Sequence, residues 1–389
     1  MTVLIPRMRR ESRYLFDYSP KFCLERNIDQ AISGHPATST RTSIGSTIGS
    51  DGMLHVAAHS QPRYTWLDLD SDGVKETACR LLEDARTNVV LWNRDLTNAA
   101  WTKTNATPAK DQVGIDGVAA SASSLLATAG NATCLQAITL ASSARYQTAY
   151  VKRLAGSGVI QMTTDNGSTW TAITVTSSWT RVSIPTQTLA NPTVGFRVVT
   201  NGDKIAVDFV QNENGIFETS AIPTTNASVP RAADGLSFTL NLLPQVMTVY
   251  VDAVWRVAAN AATNYVAWSI GSPSAPYIVG RLSGSTLNPE TQHNNGSGPQ
   301  TSSSALAPTF NQRAETRHVL RADGSTITGV SINAGVESVG AAAAAAALAA
   351  AWNAATLRIG SDTSQLGFFA LRAIRIAAGE QSLVFMREG

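Results

Sequence analysis

The sequence predicts a mainly β fold: two tandem antiparallel jelly-roll or β-sandwich domains, preceded by an extended N-terminal arm. Three observations lead there. From Val89 onward, short runs alternate apolar and polar residues with a period of two, punctuated by turn residues at roughly 8–12-residue spacing, as in sandwiches and jelly rolls. Charged residues make up only 15% of the chain, against roughly 25% in an average globular protein, and Gly, Ser, Thr, Ala and Asn fill the difference. The length of 389 residues, 43% of them apolar, exceeds one ordinary domain and suffices for more than one core.

Residues 1–88 lack sustained periodicity. Pro6, Pro20, Pro36 and Pro62, with the stretch TSTRTSIGSTIGSDG, favour extended or looped backbone. Two strands are expected within this arm, Arg63 to Leu69 and Ala78 to Leu82, with SDGVKE as the hairpin turn between them. Residues 89–229 form the first sandwich. Ile205, Val207 and Phe209 alternate with Ala206, Asp208 and Val210; Val194, Phe196 and Val198 repeat the pattern, as do Val182 and Ile184. Asp165-Asn166-Gly167-Ser168 sits between two Thr- and Val-rich runs and reads as a hairpin turn, because Asn and Gly tolerate positive φ. Residues 230–389 form the second sandwich, opened by MTVYVDAVW with Met247, Val249, Val251, Ala253 and Trp255 on one face. NNGSGPQTSSS reads as a flexible loop. The run Ala341 to Trp352 predicts a short helix on alanine propensity, with an ordered loop as the competing outcome.

Charge and cysteine content narrow the function classes. The net charge of +2 gives no electrostatic case for nucleic acid. Arg7, Arg9, Arg10 and Arg13 cluster near the start, either as a solvated arm or as a segment docking on an acidic partner surface. Cys23, Cys79 and Cys134 form no disulfide framework or zinc spacing, and reduced buried thiols are expected. The opening residues carry no apolar secretory core, and the longest apolar run is too short to cross a bilayer, so no membrane insertion is expected.

Motifs for chemistry are sparse. Asp68, Asp70, Asp72 and Gly73 fit the first, third, fifth and sixth positions of a calcium loop, but the twelfth, which should be a bidentate carboxylate, is Cys79. An acidic hairpin turn is therefore preferred over a metal site. The five histidines form no metal-ligand spacing, and no nucleophile elbow or phosphate loop appears. No catalytic residue and no cofactor is expected. Sugars stack on exposed aromatic faces, so aromatics near turns are the candidate glycan contacts: Trp170, just after the Asn-Gly turn, and Tyr277, in SPSAPY. The other tryptophans fit core positions.

Five segments carry a family resemblance: SDGMLHVAAHSQPRYTW (Ser50–Trp66), LLEDARTNVVLWNRDLTNAAWTK (Leu81–Lys103), SSWTRVSIPTQT (Ser177–Thr188), VDFVQNENGIFETSAIPTTNASVPRAADGLSF (Val207–Phe238), and TLRIGS with LGFFALRAIRIAAGEQS. Together they resemble bacteriophage virion fibre, spike and decoration proteins. In that family a carbohydrate-binding-module-like jelly roll precedes a concanavalin-A-like or laminin-G-like sandwich. The Ala85-Arg86-Thr87-Asn88 turn and the Val207–Phe238 junction are its most specific parts.

The resemblance implies a non-enzymatic structural component of a phage particle: a head or tail fibre, spike, collar or decoration protein. It would be anchored through residues 1–88 to other virion proteins (capsid, portal, neck or tail), assembled in the bacterial cytoplasm and located in the virion. Several copies are expected, as a trimer if the protein is a fibre. A host-glycan-binding adsorption protein is the alternative, with host surface polysaccharide as partner, and a polysaccharide depolymerase ranks below both.

Overall fold

The computed structural model describes residues 14, 16–19, 31, 33–68, 75, 77–240, 247–255, 264–271, 277–294, 299–303, 313–320, 326–327, 330–333, 336–339, 343–344, 356–360 and 369–378. Among them the fold is all β, built from antiparallel sheets without a helix. The chain divides into two compact units. One comprises residues 41–63 and 85–233, the other residues 1–40, 64–84 and 234–389.

These boundaries depart from a separate arm over residues 1–88. The hairpin of Gly45–Ile48 and Leu54–Ala57 belongs to the first unit, while Phe16–Tyr18, Ala37–Thr40, Tyr64–Leu67 and Thr77–Leu82 are strands of the second. These strands are short and separated in sequence, so no sustained period marks them, although Phe16, Tyr18, Leu54, Cys79, Leu81 and Leu82 are buried. Arg7, Arg9, Arg10 and Arg13 lie outside the described residues.

The first unit is a jelly roll. One five-stranded sheet runs Thr180–Leu189, Ser143–Ala155, Lys204–Asn214, Ala122–Ala127, Ala106–Gln112; the other runs Thr171–Ile173, Ile160–Thr163, Thr193–Val198, Ala132–Ala137, Thr102–Thr104. Alternation sends one set of side chains between the sheets. Leu125, Cys134, Val151, Met162, Ile184, Phe196 and Val207 meet Trp101 in the core. Phe209 breaks the expected pattern. A register shift falls between Thr148/Gln211 and Tyr150/Asp208, and Phe209 takes a positive φ of 44°. Val210 replaces it in the main core, and Phe209 packs outside with Leu54, Ile115 and Tyr150. The bulge also aims Asp208 at Arg94, which binds it through Nε at 2.7 Å and Nη2 at 3.1 Å while its guanidinium lies 4.0 Å from the centre of the Phe209 ring.

Where the chain enters and leaves the jelly roll, the two segments pair. Arg86–Asn88 runs antiparallel to Val229–Arg231, with Asn88 opposite Val229 and Arg86 opposite Arg231. Beneath this ladder lies a buried polar network. The Asn88 amide donates to Val210 O at 3.1 Å and Ile222 O at 3.0 Å, and accepts from the backbone of Val90 and Asn212. Asn93 binds Ile222 O and the backbone N–H of Thr224. Glu213, fully buried, accepts from Thr219 N at 2.8 Å, Thr219 Oγ1 at 2.6 Å and Gln211 Nε2 at 3.0 Å. Replacing Asn88 with Ala strands four backbone groups in the interior. The Asn88→Ala protein is expected to lose roughly 3 kcal/mol, read as a lower urea midpoint at unchanged slope.

The second unit is a sandwich of a six-stranded and a seven-stranded sheet. The first is centred on Met247–Trp255, between Arg313–Leu320 and Phe369–Ala378. Met247–Trp255 is buried on both faces along its whole length, which its one-sided alternation does not show. The second sheet carries Gly235–Thr239, Thr356–Ile359, Tyr265–Gly271 and Tyr277–Leu282. Its far edge corrects the flexible-loop expectation: Pro289–Asn294 and Pro299–Ser303 pair as a hairpin, with Asn294 opposite Pro299. Within the alanine run the described residues, Ala343–Ala344, are extended and pair with Thr326–Ile327 instead of forming a helix. Strand pairing overrides alanine's helix propensity there.

His318 lies inside this sandwich, with Nδ1 2.9 Å from Thr291 Oγ1 and its ring edge-on to Trp268. Burial pushes its pKa down to about 4. The unfolded chain takes up this proton near pH 6.5, the folded chain only near pH 4, so acid favours unfolding. Stability of this unit is expected to fall by roughly 3 kcal/mol between pH 6.5 and 4, and His318→Gln should flatten that slope in thermal scans.

Candidate functional site

The Asn-Gly turn builds the site. Ile160–Thr163 and Thr171–Ile173 pair antiparallel, with Ile160 opposite Ile173 and Met162 opposite Thr171. Asn166 and Gly167 take φ of 59° and 78°, as the sequence predicts for this hairpin. Thr163 Oγ1 accepts from Gly167 N at 3.0 Å and donates to Asp165 Oδ1 at 2.8 Å, and Asp165 Oδ1 also accepts from Thr169 N at 2.9 Å. These bonds hold the Asp165 carboxyl below the usual range against the desolvation that raises it. Gly167 is required by contact as well as by φ: a Cβ there would lie 2.9 Å from Nε1 and Cζ2 of Trp170.

Trp170 leaves this turn half-buried and stacks on Arg197, whose guanidinium carbon lies 4.4 Å from the ring centre. Arg197 in turn donates from Nε to Gln161 Oε1 at 2.6 Å. Strand register explains the meeting. Gln161 is opposite Arg197 on one side, and Thr133 is opposite Arg197 on the other, with Thr104 beyond Thr133. Val194, Phe196 and Val198 point inward on this strand, so Arg197 points outward. The result is an aromatic platform edged by a cation, an amide and two hydroxyl residues on the open face of a rigid sheet. Such a surface suits a saccharide: the indole meets C–H faces, and the polar row meets hydroxyls. Arg197 and Gln161 were legible in principle, since both sit out of phase with buried neighbours, but alternation alone does not single them out.

The other sequence candidates are placed differently. Tyr277 is not in a turn but opens the strand Tyr277–Leu282, and its hydroxyl lies 3.2 Å from Gln292 Oε1, which also accepts from Arg281. It belongs to the second unit and no platform forms around it. Asp68 follows the strand Tyr64–Leu67, which pairs antiparallel with Thr77–Leu82; Asp70, Asp72 and most of the expected turn lie outside the described residues. Among the described residues no group of three His, Cys, Asp or Glu is placed to hold a metal ion. Cys79 and Cys134 are buried free thiols, with Cys134 pushed up by burial to about 12, and Cys23 lies outside the described residues. Trp101, Trp255 and Trp268 fill the cores as expected, whereas Trp179, also expected in a core, is half-buried beneath Lys152. The fully buried carboxylates Asp208 and Glu213, both raised by burial, are tied into the interior and form part of the scaffold.

No family model matches the chain, and no curated protein matches it. Among solved structures it is similar to domains LG4-5 of the mouse laminin α1 chain, at 10% identity over 66% of this chain and 91% of that one, with a TM-score of 0.23. The CBM22-1–CBM22-2 tandem of Paenibacillus barcinonensis Xyn10C matches at 10% identity over 79% of this chain and 100% of that one, with a TM-score of 0.25. The full extracellular region of zebrafish Gpr126/Adgrg6 matches at 10% identity and a TM-score of 0.24 over 66% of this chain; the match spans only 35% of that protein's length.

Replacing Gly167 with Ala forces a side chain into both positive φ and the indole edge. The Gly167→Ala protein is expected to lose roughly 1–2 kcal/mol and to show an altered near-ultraviolet circular dichroism signal with an unchanged far-ultraviolet spectrum.

Proposed function

We propose that this chain is a non-catalytic saccharide-contacting protein whose binding face is the outer surface of the jelly-roll sheet around Trp170. The carrying observation is the platform itself: Trp170 stacked on Arg197, with Gln161 held beside it, on an uncovered face of regular strands. Arg197 and Gln161 stand on paired strands, and Trp170 lies on the loop braced by the bond between Gly167 and Thr163.

The sequence resemblance extends the reading to a structural component of a bacteriophage particle, present in several copies among other virion proteins. Supporting it, two of the segments that carry the resemblance, Ala85–Asn88 and the Val207–Phe238 junction, are partners in the structure, zipped through Asn88 and Val229. The jelly roll they close would be the displayed module, and host surface polysaccharide its ligand. Attachment would then use a surface of the segments within residues 1–88 and not a separate arm.

A bacterial polysaccharide array probed with the full chain tests the reading. Binding to at least one polysaccharide, lost in Trp170→Ala with folding retained, is the expected outcome. Silence across the array, or equal binding by the variant, counts against it. Loss of polysaccharide viscosity on incubation would overturn the non-catalytic assignment, and absence of the protein from purified particles by mass spectrometry would remove the virion role.

A further inference from the structure

The platform has a charge that no carboxylate among the described residues answers. In the same unit Arg86, Arg94, Arg153 and Arg181 each face a carboxylate, the Arg94–Asp208 contact being 2.7 Å. Arg197 differs. Its partners among the described residues are Gln161 Oε1, which takes Nε, and the Trp170 ring, which takes one face of the guanidinium. Its neighbours across the strands, Gln161 and Thr133, are neutral, and the nearby Asp165 is committed elsewhere, to Thr163, Thr169 and Gln187. The Nη1–Nη2 edge is therefore left open on a half-exposed side chain.

That edge has the geometry of a carboxylate receptor. Guanidinium N–H groups bind carboxylates in pairs, and such charge-assisted bonds are about twice as strong as neutral ones. Gln161 and Trp170 fix the group on two sides, so little rotamer freedom is lost when a ligand arrives. The indole stacked on it offers an apolar surface about one sugar ring wide. A carboxylate directly attached to a pyranose would reach the guanidinium while its ring lies against the indole.

We propose that the site selects acidic saccharides: the Nη1–Nη2 edge of Arg197 takes the sugar carboxylate, while Trp170 takes the ring. This rests on the reading of the Trp170 face as a saccharide site, and deepens it by naming the ligand class. No bond is made or broken; the selectivity is electrostatic and geometric.

The test uses the full chain and a panel of bacterial polysaccharides, each acidic member paired with its carboxyl-reduced form. The wild-type protein is expected to bind acidic members at least about ten-fold tighter than the reduced forms, with the difference shrinking as salt rises. Arg197→Gln should erase that difference, and Arg197→Lys should retain part of it. Equal affinity for paired forms, or an Arg197→Gln protein that keeps the preference, overturns the inference and leaves the saccharide reading standing. Silence of the wild type toward every member overturns both. Far-ultraviolet circular dichroism and thermal midpoint of each variant separate loss of contact from loss of fold.

Discussion

The fully buried Asn88 amide is the constraint on which the jelly roll depends. A sandwich of two sheets leaves backbone groups unpaired where its chain comes in and goes out, and in a dry interior each such group is costly. Asn88 answers four of them with one side chain, reaching Val90, Val210, Asn212 and Ile222. Glu213, Gln211 and Thr219 continue the network in the next layer. Because the first and last strands are held to each other, the sheets between them are fixed without help from a loop. The open sheet face inherits that fixity.

Much of this was legible in sequence. The alternations at Val194–Val198 and Val182–Ile184, and the Asn166–Gly167 turn, translate directly into strands and a hairpin, because side-chain direction and φ preference are local properties. What was not legible depends on pairing between distant segments. Phe209 reads as a core residue, yet a bulge set by the neighbouring strand turns it outward and gives its place to Val210. The alanine run carries helical propensity, yet Ala343–Ala344 pair with a strand. The described strands among the first 88 residues are only three to six residues long and several pair with distant segments, so they leave no sustained period even where Phe16, Tyr18, Leu81 and Leu82 are buried. For the site, Trp170 was visible through the turn that precedes it, whereas Arg197 emerged only with the register that brings it under the indole.

Fold and function separate here in a useful way. The sandwich architecture recurs in proteins of very different roles, so it supplies a rigid frame and no chemistry. The chemistry lies in what projects from one sheet. Interior carboxylates are consumed by the frame: Asp208 by Arg94, Glu213 by Thr219. The sheet face around Trp170 instead keeps an aromatic ring stacked on a cation.

The Thr163 hydroxyl at the Asn-Gly turn has one more effect, on how the protein ages. An asparagine followed by glycine normally decays because the glycine backbone nitrogen attacks the asparagine side chain, expelling ammonia and inserting an extra carbon into the main chain. At Asn166 that nitrogen is already committed to Thr163 Oγ1 at 3.0 Å. The same holds at Asn201-Gly202 and Asn214-Gly215, where the glycine nitrogens donate to Ala127 O at 2.9 Å and Ala144 O at 3.1 Å. The hydrogen bonds that shape these turns thereby oppose that attack.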